Sequence, residues 1–204
     1  HYQYDAMGRL TRIIDPDGAV TSTAYSDWTV SLTDANGNTT VKESDAYGRL
    51  IRVTEPATAD HDSSTTRYTY DQAGRLAQVT DAKGNATRMT YDSFGRKLTM
   101  IDPDMGVWSY AYDLAGNLIQ QTDAKGQILQ FTYDPLNRLT QKVGRPTMET
   151  APGSVSLATY SYDSPSKPNA LGRLSKVTDR SGSTEFFYDR LGRKIKTEKI
   201  IDRS

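Results

Sequence analysis

Residues 69–98, TYDQAGRLAQVTDAKGNATRMTYDSFGRKL, write one short phrase twice. Tyr70 and Tyr91 lie 21 residues apart, as do Asp71 and Asp92, Gly74 and Gly95, and Arg75 and Arg96. A fixed period of this length constrains the fold more than any local propensity, because each copy must be one supersecondary unit packed on its neighbours. The motif Asp-x-x-Gly occurs eleven times and uses 11 of the 15 glycines, so glycine here marks turns. From Asp71 the aspartates fall at 71, 81, 92, 102, 113, 123 and 134, in steps that alternate 10 and 11. Nine units begin at Tyr4, Tyr25, Ser44, Tyr70, Tyr91, Tyr112, Tyr133, Tyr162 and Tyr188; in the second, SDWTVSL replaces the usual opening.

Between turns lie about six residues rich in Tyr, Thr, Val, Ile and Leu, with alternating stretches such as Tyr68-Thr69-Tyr70. Composition and length are those of strands. The apolar stripe at spacings of three and four that a helix requires is absent. The expectation is an all-β chain, an antiparallel β-meander of repeated hairpins. Nine units of two strands give up to 18 strands, or roughly 85 Å of sheet at ~4.8 Å per strand. Open sheets of more than ~10 strands curl or split. The hydrophobic content, 36%, is too low for a thick core. A curved sheet around a space, a wall, is the expected product.

The two turns of each unit are expected to differ. In the first, the residue before glycine is Met7, Tyr47, Ala73, Phe94, Ala115 or Leu191. Such residues resist positive φ, so a type I turn followed by a left-handed glycine is expected. In Asp134-Pro135-Leu136-Asn137 asparagine, the next best left-handed residue, replaces that glycine. In the second turn Asp17-Gly18, Asn36-Gly37, Lys83-Gly84, Lys125-Gly126 and Ser181-Gly182 suggest two-residue loops, and Lys83-Gly84 is assigned one. With one odd loop and one even loop per unit, Tyr70 faces Leu76 and Leu76 faces Tyr91. Tyr70, Tyr91, Tyr112 and Tyr133 then line one face, with Lys97 the expected local exception.

YDxxGRL followed by TDxxGN, repeated nine times over nearly the whole chain, resembles the YD-repeat, or RHS-repeat, family of bacterial RHS toxins, Tc toxin B–C components and teneurins. The resemblance implies a segment of a longer array coiled into a hollow β-shell. In the toxins that shell encloses a toxic C-terminal domain; the self-cleaving element and toxin domain of the family have no counterpart here. It also implies a secreted or cell-surface location, with neighbouring repeats and an enclosed toxin domain as partners. Residues 1–204 are taken as a single repeat domain with irregular loops at 56–67, 144–159 and 164–171, the places expected to contact partners.

Other chemistries are weaker. Lysine plus arginine equals aspartate plus glutamate, 25 each, so no basic field exists for nucleic acid. No apolar run is long enough for a transmembrane helix. Cysteine is absent, excluding thiol chemistry and disulfides. The chain starts at His1 without a charged-then-apolar leader, which reads as a mature piece or a fragment. His61 lies among Asp60, Asp62 and Ser63, but sequence proximity does not make a triad. Asp15-Pro16-Asp17-Gly18 lacks the spacing of a calcium loop. No enzyme activity, cofactor or metal is expected. The arginines after the first-turn glycine are expected to pair with the turn aspartates. Twelve of 13 tyrosines open a unit or stand two residues before it; stacked aromatics bind sugars, so a glycan-binding or adhesion surface is the alternative function. The residues expected to build the repeat are Tyr70, Asp71, Gly74, Arg75, Leu76, Tyr91, Asp92, Gly95, Tyr112, Asp113, Gly116, Tyr133, Asp134 and Asn137.

Overall fold

The computed structural model describes residues 1–58, 62–145 and 154–202. His61 and its neighbour Asp60 lie outside them, as do residues 146–153 of the second expected loop. Among the described residues there are eighteen strands, paired antiparallel, and no helix. The meander expected from the repeat is the fold.

The strands fall into two compact units, His1–Thr90 with Ile101–Asp104, and Tyr91–Met100 with Met105–Ser204. The first carries β1 (Tyr2–Tyr4), β2 (Leu10–Ile14), β3 (Val20–Ser26), β4 (Thr29–Thr33), β5 (Thr39–Ser44), β6 (Leu50–Glu55), β7 (Ser64–Tyr70), β8 (Leu76–Thr80) and most of β9 (Ala86–Tyr91). Each of these pairs with the next in sequence. β10 (Lys97–Asp102) is divided between the units. The second unit carries β11 (Gly106–Tyr112), β12 (Leu118–Thr122), β13 (Ile128–Tyr133), β14 (Leu139–Arg145), β15 (Val155–Tyr162), β16 (Leu174–Asp179), β17 (Gly182–Tyr188) and β18 (Lys194–Ile201), again paired in chain order.

Neither unit has a conventional core. Among the described residues only Ala170, Ser175 and Gly182 are buried. Most strand positions are instead half-buried or exposed, alternating throughout in Gly106–Tyr112. The sheet is one layer thick, the form in which a chain this poor in apolar residues can satisfy its backbone without an interior.

The loop boundaries need correction. Ser64–Arg67 belong to β7, Gly144 and Arg145 to β14, and Val155–Thr159 to β15. Threonine and valine there are ordinary strand residues, and pairing with the preceding hairpin extends the sheet into both segments. The third loop, 164–171, is irregular as expected and is tied down at Lys167. Lys167 Nζ donates to the Ser175 carbonyl at 2.9 Å, pairs with Glu185 at 2.9 Å and lies 4.6 Å from the Phe187 ring centre.

Candidate functional site: the repeat turn and its tyrosine

The first turn is built as expected. In Asp71–Arg75 the Gly74 N–H donates to the Asp71 carbonyl at 2.9 Å, and the Asp71 N–H to the Arg75 carbonyl at 2.8 Å. Gly74, Gly95 and Gly116 have φ of 79°, 83° and 90°, and Asn137 substitutes at 59°. One carboxylate oxygen of Asp71 accepts the amides of Ala73 and Arg75, both at 2.9 Å; the other receives Arg75 Nε at 2.7 Å. The same set recurs at Asp92–Arg96 and Asp134–Arg138, and Asn117 takes the arginine's place on Asp113 at 2.9 Å. The Arg75 backbone N–H holds the Asp71 carboxyl below the usual carboxylate range, helped by the guanidinium and opposed by desolvation. At Asp81 the Asn85 side chain is the main cause of the same shift.

The second turn is not the two-residue loop assigned to it. The Gly84 N–H donates to the Asp81 carbonyl at 3.1 Å and the Asp81 N–H to the Asn85 carbonyl at 3.0 Å, the same three-residue geometry as the first turn. Asp15, Asp34 and Asp123 form it too. The aspartate decides the outcome. Asp81 accepts the amides of Lys83 and Asn85 at 2.9 and 2.8 Å, and Asn85 Nδ2 closes on the other oxygen at 2.8 Å, just as arginine does in the first turn. Three hydrogen bonds to a charged acceptor outweigh a dipeptide preference for type I′. Only Arg180-Ser181, between paired Asp179 and Gly182, is a two-residue loop among these second turns.

Two odd loops alone would throw successive tyrosines onto opposite faces. A bulge corrects this. Tyr70 pairs with Leu76 but Thr69 pairs with Gln78, so Leu76 and Ala77 together face Tyr70. The same slip occurs at Tyr4, Ser44, Tyr112, Tyr133, Tyr162 and Tyr188. In the degenerate second unit a two-residue turn at Asp27-Trp28 replaces the longer loop and the bulge vanishes with it, so that unit spans 19 residues. Parity survives either way. Following the pairs, Tyr4, Tyr25 and Tyr70 share one face of the first unit. Tyr112, Tyr133, Tyr162 and Tyr188 share one face of the second. Within each compact unit these tyrosines line one face, for a different reason from the one the sequence suggested.

Each tyrosine also ties its unit to the one before. The Tyr133 hydroxyl donates to the Leu118 carbonyl at 2.9 Å, and Tyr25, Tyr70, Tyr162 and Tyr188 reach the carbonyls of Leu10, Leu50, Leu139 and Leu174. Every acceptor sits at the bulge. Lys97 keeps the link, because Tyr112 takes its backbone carbonyl at 3.0 Å, while its ammonium lies 4.8 Å from the Tyr110 ring centre. Burial raises the phenols of Tyr112, Tyr133 and Tyr162 above their ordinary range. Arginine completes the link: Arg9, Arg49, Arg96 and Arg138 lie 4.2–4.9 Å from the ring centres of Tyr25, Tyr70, Tyr112 and Tyr162. Arg138 serves two turns, pairing with Asp134 at 2.7 Å and Asp163 at 2.6 Å. The expected aspartate pair of Arg173 does not form; its guanidinium donates to the Asn169 and Leu171 carbonyls. The bulge and the arginine–tyrosine stacking left no composition signal.

These groups are engaged with one another across consecutive hairpins, and what they define is a repeat scaffold. The family model for the teneurin YD-shell matches residues 22–204, and that for the RHS repeat matches residues 1–20. The chain belongs to the YD-shell family. Among solved structures, TcdB2-TccC3 matches with a TM-score of 0.78 at 22% identity, over 98% of this chain and 11% of that one. TcdB2-TccC3-Cdc42 gives 0.78 at 21%, and the Photorhabdus luminescens Tc holotoxin pore 0.77 at 21%, with the same coverage. The fold is that of these Tc toxin components, and this chain spans about a tenth of their length.

Proposed function

We propose that the chain is a non-catalytic wall segment of an encapsulating β-shell, part of a large polymorphic toxin or a related surface protein, secreted or held at the cell surface. The observation that carries this reading is the one-layer sheet. Its polar side chains reach from one hairpin to the next, as Arg138 does to Asp163 and Tyr133 to the Leu118 carbonyl, while among the described residues almost none is buried. Such a sheet separates two spaces. Residues 1–204 act as one continuous array of nine units, with further repeats as neighbours and a C-terminal toxin domain as the enclosed partner. Tyr70, Asp71, Gly74, Arg75 and Leu76, with their cognates, are the structural site; they shape the wall and hold no cofactor.

Limited proteolysis of the full-length protein tests the proposal. The enclosed C-terminal domain should survive protease in the intact protein and be cut once the repeats are unfolded. Cleavage of that domain at the rate of its isolated form, with the repeats intact, would refute encapsulation. Saturable binding on a glycan array would move the assignment to adhesion.

A further inference from the structure

Asparagine stands at six positions of the chain, and one of them is unlike the rest. Five have the side-chain amide in a hydrogen bond. Asn38, Asn85 and Asn117 donate Nδ2 to the aspartates that open their turns, Asp34, Asp81 and Asp113, at 2.8–2.9 Å. Asn137 accepts from Asn117 at 2.8 Å, and Asn169 donates to the Tyr188 carbonyl at 3.1 Å. The residues that follow these five are Thr39, Ala86, Leu118, Arg138 and Ala170. Asn36 is followed by Gly37 and is exposed. Its backbone N–H donates to Asp34 Oδ1 at 2.9 Å, but among the described residues its side-chain amide has no partner. A Cβ added at Gly37 would meet nothing within 4 Å, so the Gly37 nitrogen is approached through open space. Glycine, here at φ 84°, also leaves the backbone free to rotate.

We infer that Asn36 is a site of spontaneous modification, deamidation through a cyclic imide formed with Gly37. The Gly37 backbone nitrogen gives its proton to solvent and attacks Asn36 Cγ. The Cγ–Nδ2 bond breaks, and Nδ2 takes up a proton and leaves as ammonia. Water then opens the ring at one of its two carbonyls. Attack at Cγ restores the main chain and leaves aspartate; attack at the main-chain carbonyl leaves isoaspartate, with the chain running through Cγ. Water is the only co-reactant. Aspartate fits this position, because Asp17 is its cognate in the Asp15–Gly18 turn. Asp17 accepts the Ala19 amide at 3.0 Å and has no amine to expel. Isoaspartate does not fit. It adds a methylene to a loop closed by the Gly37 N–H on the Asp34 carbonyl at 3.1 Å and the Asp34 N–H on the Asn38 carbonyl at 2.9 Å. Those bonds, with the Asp34 carboxylate on the amides of Asn36 and Asn38, also keep the Gly37 nitrogen engaged. Reaction therefore waits on opening of the turn, and its rate reports that opening.

The test is ageing of the full-length protein in mildly alkaline buffer, followed by digestion and mass spectrometry that separates aspartate from isoaspartate. A parallel sample is aged in urea. In the folded protein Asn36 should convert about tenfold faster than Asn38, Asn85, Asn117, Asn137 or Asn169, the scale of the one or two hydrogen bonds those residues must first break. In urea, with the turn bonds gone, Asn36 should convert faster still. Amide hydrogen exchange of the peptide carrying this turn gives the second readout. It should be unchanged in Asn36→Asp and faster in the aged isoaspartate form. Conversion of Asn38 or Asn85 at the rate of Asn36 would overturn the inference. So would an Asn36 that stays intact in the folded protein while the urea sample converts, or an isoaspartate form that exchanges like Asn36→Asp.

Discussion

Tyr133 donates its hydroxyl to the carbonyl of Leu118, 2.9 Å away and fifteen residues earlier in the chain. Leu118 is the residue at which the ladder slips opposite Tyr112. The bulge that restores parity is thus covered by the tyrosine of the following unit, so one residue type both marks the face and closes the irregularity.

Replacing Tyr133 by phenylalanine removes a donor to a half-buried carbonyl. The expected loss is about 0.5–1.5 kcal/mol, the net value of such a bond with part of the desolvation cost of its acceptor. Tyr47, 85% exposed, donates no comparable bond to a bulge carbonyl, and its phenylalanine variant should melt like the parent. Equal midpoints for both variants in urea denaturation would show that the hydroxyl does not hold the bulge.

The left-handed turn residue sets a second expectation. At Gly116, φ is 90° and an added Cβ would meet nothing within 4 Å, so any cost is conformational rather than steric. Gly116→Val should destabilise by more than about 1 kcal/mol. Gly116→Asn should cost clearly less, because Asn137 occupies the cognate position with φ of 59°. Thermal melts in which asparagine and valine lose the same amount would contradict the turn assignment.

Acid should loosen the turns together. The carboxyls of Asp71, Asp92 and Asp134 lie below their ordinary range in the folded chain, through the bonds each accepts from Arg75, Arg96 and Arg138 against opposing desolvation. A lowered folded value means the turns contribute fully above the unfolded value of about 3.9 and lose that contribution as pH falls through the folded values. Stability should be flat from neutral pH to about 4 and decline below it. A midpoint unchanged between pH 6 and pH 2.5 would remove the aspartates from the account.

Alkali acts on the tyrosines with the opposite sign. Burial raises the phenols of Tyr112, Tyr133 and Tyr162, so their contribution is complete below the unfolded value of about 10 and is lost as pH rises through the folded values. Absorbance titration should show these three ionising above the ordinary phenol range. One uniform phenol titration with no loss of structure would contradict their role as hydroxyl donors.

Much of this fold can be read from the residues because the repeat states it many times. Asp71, Gly74 and Arg75 fix a turn that Asn137 confirms by exception, and the strands between turns are short, alternating and β-branched. The second turn was less legible for a local reason. Lys83-Gly84 resembles a two-residue loop as a dipeptide, yet Asp81 and Asn85, outside that dipeptide, decide the geometry through their side chains. The bulge at Leu76 and Ala77 carries no sequence mark, since either residue suits a regular strand. Lys167, in a segment rich in Pro, Ser and Asn, packs over Phe187 because its ammonium finds Glu185 and the Ser175 carbonyl, partners distant in sequence.

Electron cryomicroscopy of the full-length protein tests the central claim most directly. The account predicts a closed hollow shell in which residues 1–202 form a wall one sheet thick, with Tyr70, Tyr112, Tyr133 and Tyr162 all on the same side of that wall. A solid body in which this sheet packs face to face against a second one, or an open strip that encloses nothing, would contradict it.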